Sequence, residues 1–115
     1  MKNINGESFE VRLGDDNQTV FFKGALRLSG MEDYGPILEM LKGTITNPPA
    51  SVVLDVRELD FLNSSGITMF SRFVIEAREQ TGVGLQFIAS ESIPWQSRSL
   101  KNLQRLMPSL QISLT

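Results

Sequence analysis

Asn63, Ser64, Ser65 and Gly66 put two hydroxyls directly before a segment with strong helical patterning. At such a helix start the first backbone N–H groups lack intrahelical partners, and the helix dipole presents its positive end. The chemistry that suits this place is anion binding, and a phosphate added to a serine there becomes a local charge switch. The same four residues also have an ordinary structural use: asparagine and serine are strong N-caps, and glycine relieves crowding in a first turn. The two uses are compatible, with Asn63 or Ser64 capping while Ser65 presents its hydroxyl. A second constellation lies just upstream, where Asp55, Glu58 and Asp60 are close in sequence. A carboxylate pair can do acid–base work, but the position of these three after an apolar run suits a solvated loop. As a magnesium site the trio is weak, because such sites recruit substrate phosphates and the chain has no phosphate-binding glycine loop. Gly82-Val83-Gly84 has neither the length nor the Lys-Ser/Thr ending of a P-loop.

The chain contains no histidine and no cysteine. That removes the commonest general base, the commonest transition-metal ligand, every Ser-His-Asp triad, the thiolate nucleophile and any disulfide. The sequence therefore predicts a protein that is not an enzyme, with no catalytic residue, metal or cofactor. A formal net charge of −2 offers no basic surface for nucleic acid. With 115 residues, 41% of them hydrophobic and 21% charged, one globular domain spanning 1–115 is expected. Met1 to Glu10 lacks the apolar stretch of a signal peptide, and no run approaches membrane-spanning length, so the expected location is the cytoplasm, away from membranes.

The elements that must position the two serines follow from periodicity. Phe9, Val11 and Leu13 alternate with polar residues as one strand, and Val20, Phe22, Gly24 and Leu26 mark one face of a second. The turn cluster Gly14-Asp15-Asp16-Asn17 between them predicts an antiparallel hairpin. Tyr34, Ile37, Leu38, Leu41 and Ile45 share one helical face. Pro36 is tolerated in a first turn, which puts the helix start near Asp33, and Asn47-Pro48-Pro49 stops it. An apolar strand at Ser51 to Val56 follows, then a short loop carrying Glu58 and Asp60. The second helix runs from about Ser64 to Thr81, with Ile67, Phe70, Phe73, Val74 and Ala77 facing inward and Gly82 as its stop. Gly84 to Ala89 is another strand. Ser92 and Pro94 open a third helix with a stripe of Leu100, Leu103, Leu106 and Met107, which Pro108 ends. Leu110, Ile112 and Leu114 alternate as a last strand. The order ββαβαβαβ belongs to an α/β domain: a mostly parallel sheet with an N-terminal antiparallel hairpin and three main helices.

This order, with Ser-Ser-Gly directly after the central strand, resembles the STAS family, the sulphate-transporter and anti-sigma-factor-antagonist domains. The resemblance covers nearly the whole chain. Its specific part is Val52–Phe70, which is similar to the family pattern of an apolar strand, Leu-x-Phe, and Asp-Ser-Ser-Gly opening a helix. Leu59-Asp60-Phe61 and Asn63-Ser64-Ser65-Gly66 occupy those places. Gly24 is similar to the glycine of the family's Gly-Glu-Leu segment, although Ala25 stands where that segment has glutamate. Asn63 stands where the family pattern usually has aspartate; Asp60 or Asp55 would have to supply that charge. The resemblance implies a bacterial module of a partner-switching pathway that regulates transcription. Its unphosphorylated form binds an anti-sigma-type serine kinase; phosphate from that kinase releases it, and a phosphatase resets it. Carried over by position, the phosphoacceptor is Ser65, with Ser64 as the fallback, and Asn63, Ser64 and Gly66 form the switch loop and cap.

The outer face of the second helix carries Thr68, Ser71, Arg72, Ile75 and Glu79. With Asp60, the residues Thr68, Ser71, Arg72 and Ile75 are the expected partner contacts, although single exposed apolar residues are common on any surface. Arg98, Lys101 and Arg105 form a basic row on the third helix, which suits a solvated face or an acidic ligand. Trp95 suits either a plug at the sheet end or an interface anchor. The basic row and Trp95 support one alternative, a nucleotide- or ligand-sensing module; another is a constitutive structural subunit in which the serine goes unused.

Overall fold

Val11, Val20, Phe22, Val52, Leu54, Val56, Leu85 and Phe87 are buried while most of the residues between them keep some exposure, so each strand shows one face to a core. The computed structural model describes residues 3–46, 51–80 and 82–115. These form a six-stranded sheet in the order β1-β2-β3-β4-β5-β6 together with three helices. The strands are β1 (Asn3–Asn5), β2 (Phe9–Leu13), β3 (Thr19–Leu26), β4 (Ser51–Leu62), β5 (Gly84–Ala89) and β6 (Gln111–Leu114). The helices α1 (Gly30–Thr46), α2 (Ser64–Glu79) and α3 (Pro94–Gln104) connect β3 to β4, β4 to β5 and β5 to β6. The first three strands pair antiparallel, and the β3–β4, β4–β5 and β5–β6 pairs are parallel. Each parallel crossover advances one strand in the same direction, so right-handed connections put all three helices on one face of the sheet.

The expected α/β fold with its N-terminal hairpin is observed, and the departures from the sequence reading are local. Strand β1 was not expected: Asn3-Ile4-Asn5 is too short to show a period, and tertiary pairing of Ile4 with Val11 creates it. Helix α1 starts at Gly30 rather than near Asp33. Pro36 lies inside it, and the preceding Gly35 has no Cβ to meet the proline ring, so the helix passes through. The third helix is capped by Ile93, which makes no side-chain bond, and not by Ser92. The stops predicted at Asn47-Pro48-Pro49 and the end at Thr81 lie outside the described residues; Gln80 is the cap of α2, and Gly82 turns away with φ +86°. Leu114 is largely exposed, so the last strand buries less than its alternation promised.

The largest departure is β4, which runs on through Arg57, Glu58, Leu59, Asp60 and Phe61 instead of ending at Val56. Phe21 pairs with Asp55 but Lys23 with Glu58, and Gly24 pairs with Leu59 but Ala25 with Phe61. Strand β4 therefore carries an extra residue at each of two places, the mark of a bulge. The bulges break the simple alternation, leaving Leu59 and Leu62 buried three residues apart. Beyond Asp55 the β5 side of β4 has no ladder. There Gln96, fully buried, donates its amide to the carbonyls of Val56 and Leu59, and the Trp95 indole N–H donates to Leu59 and Asp60 carbonyls at 3.2 and 3.1 Å. The start of α3 thus does for β4 what a strand would do, because buried carbonyls must find donors.

Candidate functional site

Leu62 is buried at the end of β4, and Asn63 then leaves the sheet with extended backbone (φ −78°, ψ 175°) to open α2. Asn63 is the centre of the local structure. Its Oδ1 accepts the Gly66 N–H at 2.9 Å and the Tyr34 hydroxyl at 2.6 Å. Its Nδ2 donates to the Leu28 carbonyl at 2.9 Å, and its backbone N–H donates to Leu26 O at 3.2 Å. Asn63 therefore ties α2 to α1 and to the segment after β3 through its side chain, and to the end of β3 through its backbone. Tyr34 is fully buried, and that burial holds its phenol above its ordinary value, so it remains a donor at neutral pH. Gly66 is required by space: a Cβ there would stand 2.2 Å from Leu62 Cδ1 and 2.9 Å from the Tyr34 hydroxyl.

Because Asn63 is the cap, both serines keep their hydroxyls free of that task. Ser64 is exposed and Ser65 half-buried, at the first two positions of α2. No acidic residue occupies the first turn, so nothing there opposes a bound or attached anion. Following Ser64 along the outer face, Thr68, Arg72 and Ile75 are exposed and Ser71 is half-buried. The Thr68 hydroxyl donates to Ser64 O at 3.1 Å and that of Ser71 to Ile67 O at 3.0 Å. These two hydroxyl protons are committed to the helix, which leaves Arg72 as the polar arm of the stripe.

The acidic trio does not form a loop cluster. Asp55 is buried in mid-strand, where its carboxylate takes the Arg57 guanidinium at 2.7 Å and the Arg57 backbone N–H at 3.1 Å. That pairing holds the Arg57 guanidinium above its ordinary value. Asp55 is seven residues before Leu62, about 20 Å along a strand, so it does not join the serines. Asp60 is exposed near the end of β4, on the stretch that leads to the site. Among the described residues no group of three or more acidic side chains is placed to hold a metal ion. Arg98 and Lys101 are exposed on α3, and Arg105 is exposed at its C-cap. Trp95 is half-buried and bonded to β4, as a plug would be. Two residues the sequence reading used only as apolar or missed altogether prove structural to the site: Tyr34, read as part of a core stripe, and Gln96. A polar tip within an apolar helical stripe was the available signal for Tyr34; Gln96 carried none.

The geometry explains the departure at Asn63. An aspartate would keep the acceptor for Gly66 and Tyr34 but turn its second oxygen onto the Leu28 carbonyl. Asn63→Asp is therefore expected to lose about 1–3 kcal/mol at neutral pH, the cost of setting two acceptors face to face. Protonation would restore a donor toward Leu28. The new carboxyl thus holds its proton more tightly when folded, so the deficit against the natural protein is complete only above that raised folded value, shrinks as the pH falls from there toward about 4, and is smallest below it. Paired urea titrations of both proteins at pH 3.5 and 7 check this, and a deficit that does not change with pH would refute it.

A mostly parallel sheet, an N-terminal hairpin and serines opening the helix after the central strand together define a STAS-like fold, and solved structures share it. SiaC of Pseudomonas aeruginosa superimposes with a TM-score of 0.73 at 14% identity, covering 100% of this chain and 98% of that one. A chain of the complex between the Pseudomonas aeruginosa diguanylate cyclase SiaD and its activator SiaC matches at a TM-score of 0.68 and 13% identity, over 100% of both chains. An anti-sigma factor antagonist from Mycobacterium paratuberculosis matches at 0.59 and 15% identity, over 96% of this chain and 82% of that one. At these identities the likeness is one of fold. No family model and no curated protein sequence matches the chain. Among the described residues no helix is long and apolar enough to cross a membrane.

Proposed function

We propose that this chain, as one domain over 1–115, is a phosphorylation-switched protein-binding module of a bacterial partner-switching pathway. Ser65 is the phosphoacceptor and Ser64 the fallback; Asp60, Thr68, Ser71, Arg72 and Ile75 meet the partner. The observation that carries this reading is the division of labour at the helix start. Asn63 alone caps α2, so the two serine hydroxyls stand unspent at its positive end. The fold neighbours add support, since both are named for acting on other proteins: SiaC as the activator of a diguanylate cyclase, the other as an antagonist of an anti-sigma factor.

The chemistry belongs to the partners. A serine kinase transfers the γ-phosphoryl group of a nucleoside triphosphate: the serine oxygen–phosphorus bond forms, the bond to the leaving diphosphate breaks, and the hydroxyl proton passes to the kinase's base. A phosphatase returns the serine by hydrolysis. Phosphate adds nearly two negative charges at neutral pH. The helix start tolerates them, so the effect falls on the partner's surface rather than on the fold. In this reading the chain itself is not an enzyme and works in the cytoplasm, where the nucleotide is.

The test is recovery of partners from the native cell by wild type, Ser65→Ala and Ser65→Asp, with phosphosite mapping on the recovered protein. The expected result is phosphate on Ser65, full recovery by Ser65→Ala, and recovery reduced tenfold or more by Ser65→Asp. Equal recovery by all three, with no phosphate on either serine, would leave the pair as a plain helix start.

A further inference from the structure

Arg72 stands where two features of α2 meet. With Leu38 and Lys42 of α1 and Ile75 and Glu76 of α2, it lines a cleft of about 180 Å³ between the helices. It also follows Ser65 by seven residues, about 10.5 Å along the axis and within about 20° of the same helical face. Long helical side chains lean toward the N-terminus, a direction that lets the Arg72 guanidinium swing from the cleft back toward the first turn. From ordinary bond lengths an arginine reaches roughly 7 Å from its Cα and a phosphoserine roughly 4 Å, so the two groups meet when the arginine lies along the helix and the phosphate turns toward it.

The cleft has a definite chemistry. Ile75 is 36% exposed and sits beside Leu38, 8% exposed, as an apolar seat. Phe61, another exposed large apolar residue, does not line the cleft and has the Arg27 guanidinium 4.8 Å from its ring centroid. Lys42 and Arg72 against Glu76 leave the cleft with a net positive charge. The ion pairs among the described residues are Arg57–Asp55 and Arg78–Glu79, so neither cation of the cleft is engaged in one. An apolar seat between two available cations fits an acidic partner segment that carries a branched apolar side chain.

We propose that this α1–α2 cleft docks such an acidic segment of the partner protein, and that phosphate on Ser65 draws Arg72 away from it. The inference rests on the switch reading above and gives it a mechanism. The phosphate is tethered to the same helix and accepts two parallel N–H bonds from a guanidinium, so it outcompetes a carboxylate that must arrive from another molecule. The partner then loses one of its two cationic contacts and meets a dianion at the end of the same face.

The test uses the full chain with phosphoserine installed at position 65 during translation, in wild-type and Arg72→Gln backgrounds. Phosphorus NMR follows the second ionisation of the phosphate, ordinarily near pH 6. It is expected about half a unit or more lower in wild type than in Arg72→Gln, because an adjacent cation favours the dianion. The cleft is probed with the peptide acetyl-Asp-Leu-Leu-Glu-amide, followed through backbone amide shifts. In the unphosphorylated protein, saturable shifts are expected at Leu38, Lys42 and Ile75, weakened fivefold or more both by Arg72→Gln and by the phosphate. Identical phosphate titrations in the two backgrounds would overturn the proposal. So would peptide shifts that are absent, scattered or indifferent to Arg72, or concentration-dependent changes at the cleft without peptide, which would assign it to a second copy of the chain. Because the phosphate is installed and not sought in cells, these outcomes are independent of whether a kinase modifies Ser65. Failure of the cellular experiment would fell the switch alone.

Discussion

Replacing Phe70 by alanine is expected to cost about 3–5 kcal/mol of folding free energy, the range for emptying a buried aromatic site. Phe70 is fully buried on the inner face of α2, edge-on to Phe22 of β3 at 5.3 Å and to Phe87 of β5 at 5.5 Å. Each such pair adds about 0.5–1.5 kcal/mol beyond the area it buries. The site cannot collapse easily, because the two neighbouring rings are anchored on strands that flank β4 and are held apart by it. In urea the midpoint should fall with the slope unchanged, and the melting temperature should drop by roughly 10–20 °C. A loss below about 1 kcal/mol would mean that α2 does not depend on this contact, contrary to what burial of this size implies. The consequence reaches function, since Phe70 is one turn beyond Gly66 and fixes the helix whose first residues are the candidate switch.

Gly24→Ala is the second large effect, for two reasons that add. Gly24 has φ +92°, a conformation that costs an L-residue about 1–2 kcal/mol. A Cβ there would also stand 2.1 Å from the Ser8 carbonyl oxygen and 3.1 Å from Phe9 Cα. Those atoms are backbone and are themselves engaged. Ser8 O accepts the Ala25 N–H at 2.8 Å, and the Ser8 hydroxyl donates to Ala25 O at 2.9 Å. Relieving the clash therefore loosens the entry of β2 onto β3, adding about 1–3 kcal/mol for overpacking. The expected total is about 2–5 kcal/mol by urea unfolding. Gly30→Ala separates the two causes: its φ is +65°, but a Cβ would have nothing within 4 Å. That variant should lose only the conformational part, about 1–2 kcal/mol. Equal losses at the two glycines would show that the approach of Ser8 is not the larger cause.

Wherever a segment's conformation follows from its own apolar period, the sequence alone determined it. Val52, Leu54 and Val56 alternate into the core, and Phe70, Phe73, Val74 and Ala77 return to one helical face whatever surrounds them. The ends of β2 and β5 and the position of the Ser-Ser-Gly helix start were legible for the same reason: local backbone preference and one-sided burial agree there. Even Gly24, singled out by its place in the second strand, could be located without knowing which backbone comes against it. What the sequence could not decide was the fate of backbone groups whose partners lie far along the chain. Strand β4 continues through Arg57, Glu58 and Asp60 because β3 runs beside it on one edge and Gln96 and Trp95 supply donors on the other. No local pattern announces donors 35 to 40 residues away. The role of Asn63 was likewise half visible. Its capping of Gly66 is local, but its bonds to Tyr34 and Leu28 bridge 29 and 35 residues. Those two contacts turn an ordinary cap into a joint between α1, α2 and the segment after β3, and they make an amide, rather than a carboxylate, the group that fits. Tertiary structure decided this because a buried polar atom is satisfied by geometry, and geometry at such separations exists only once the chain has folded.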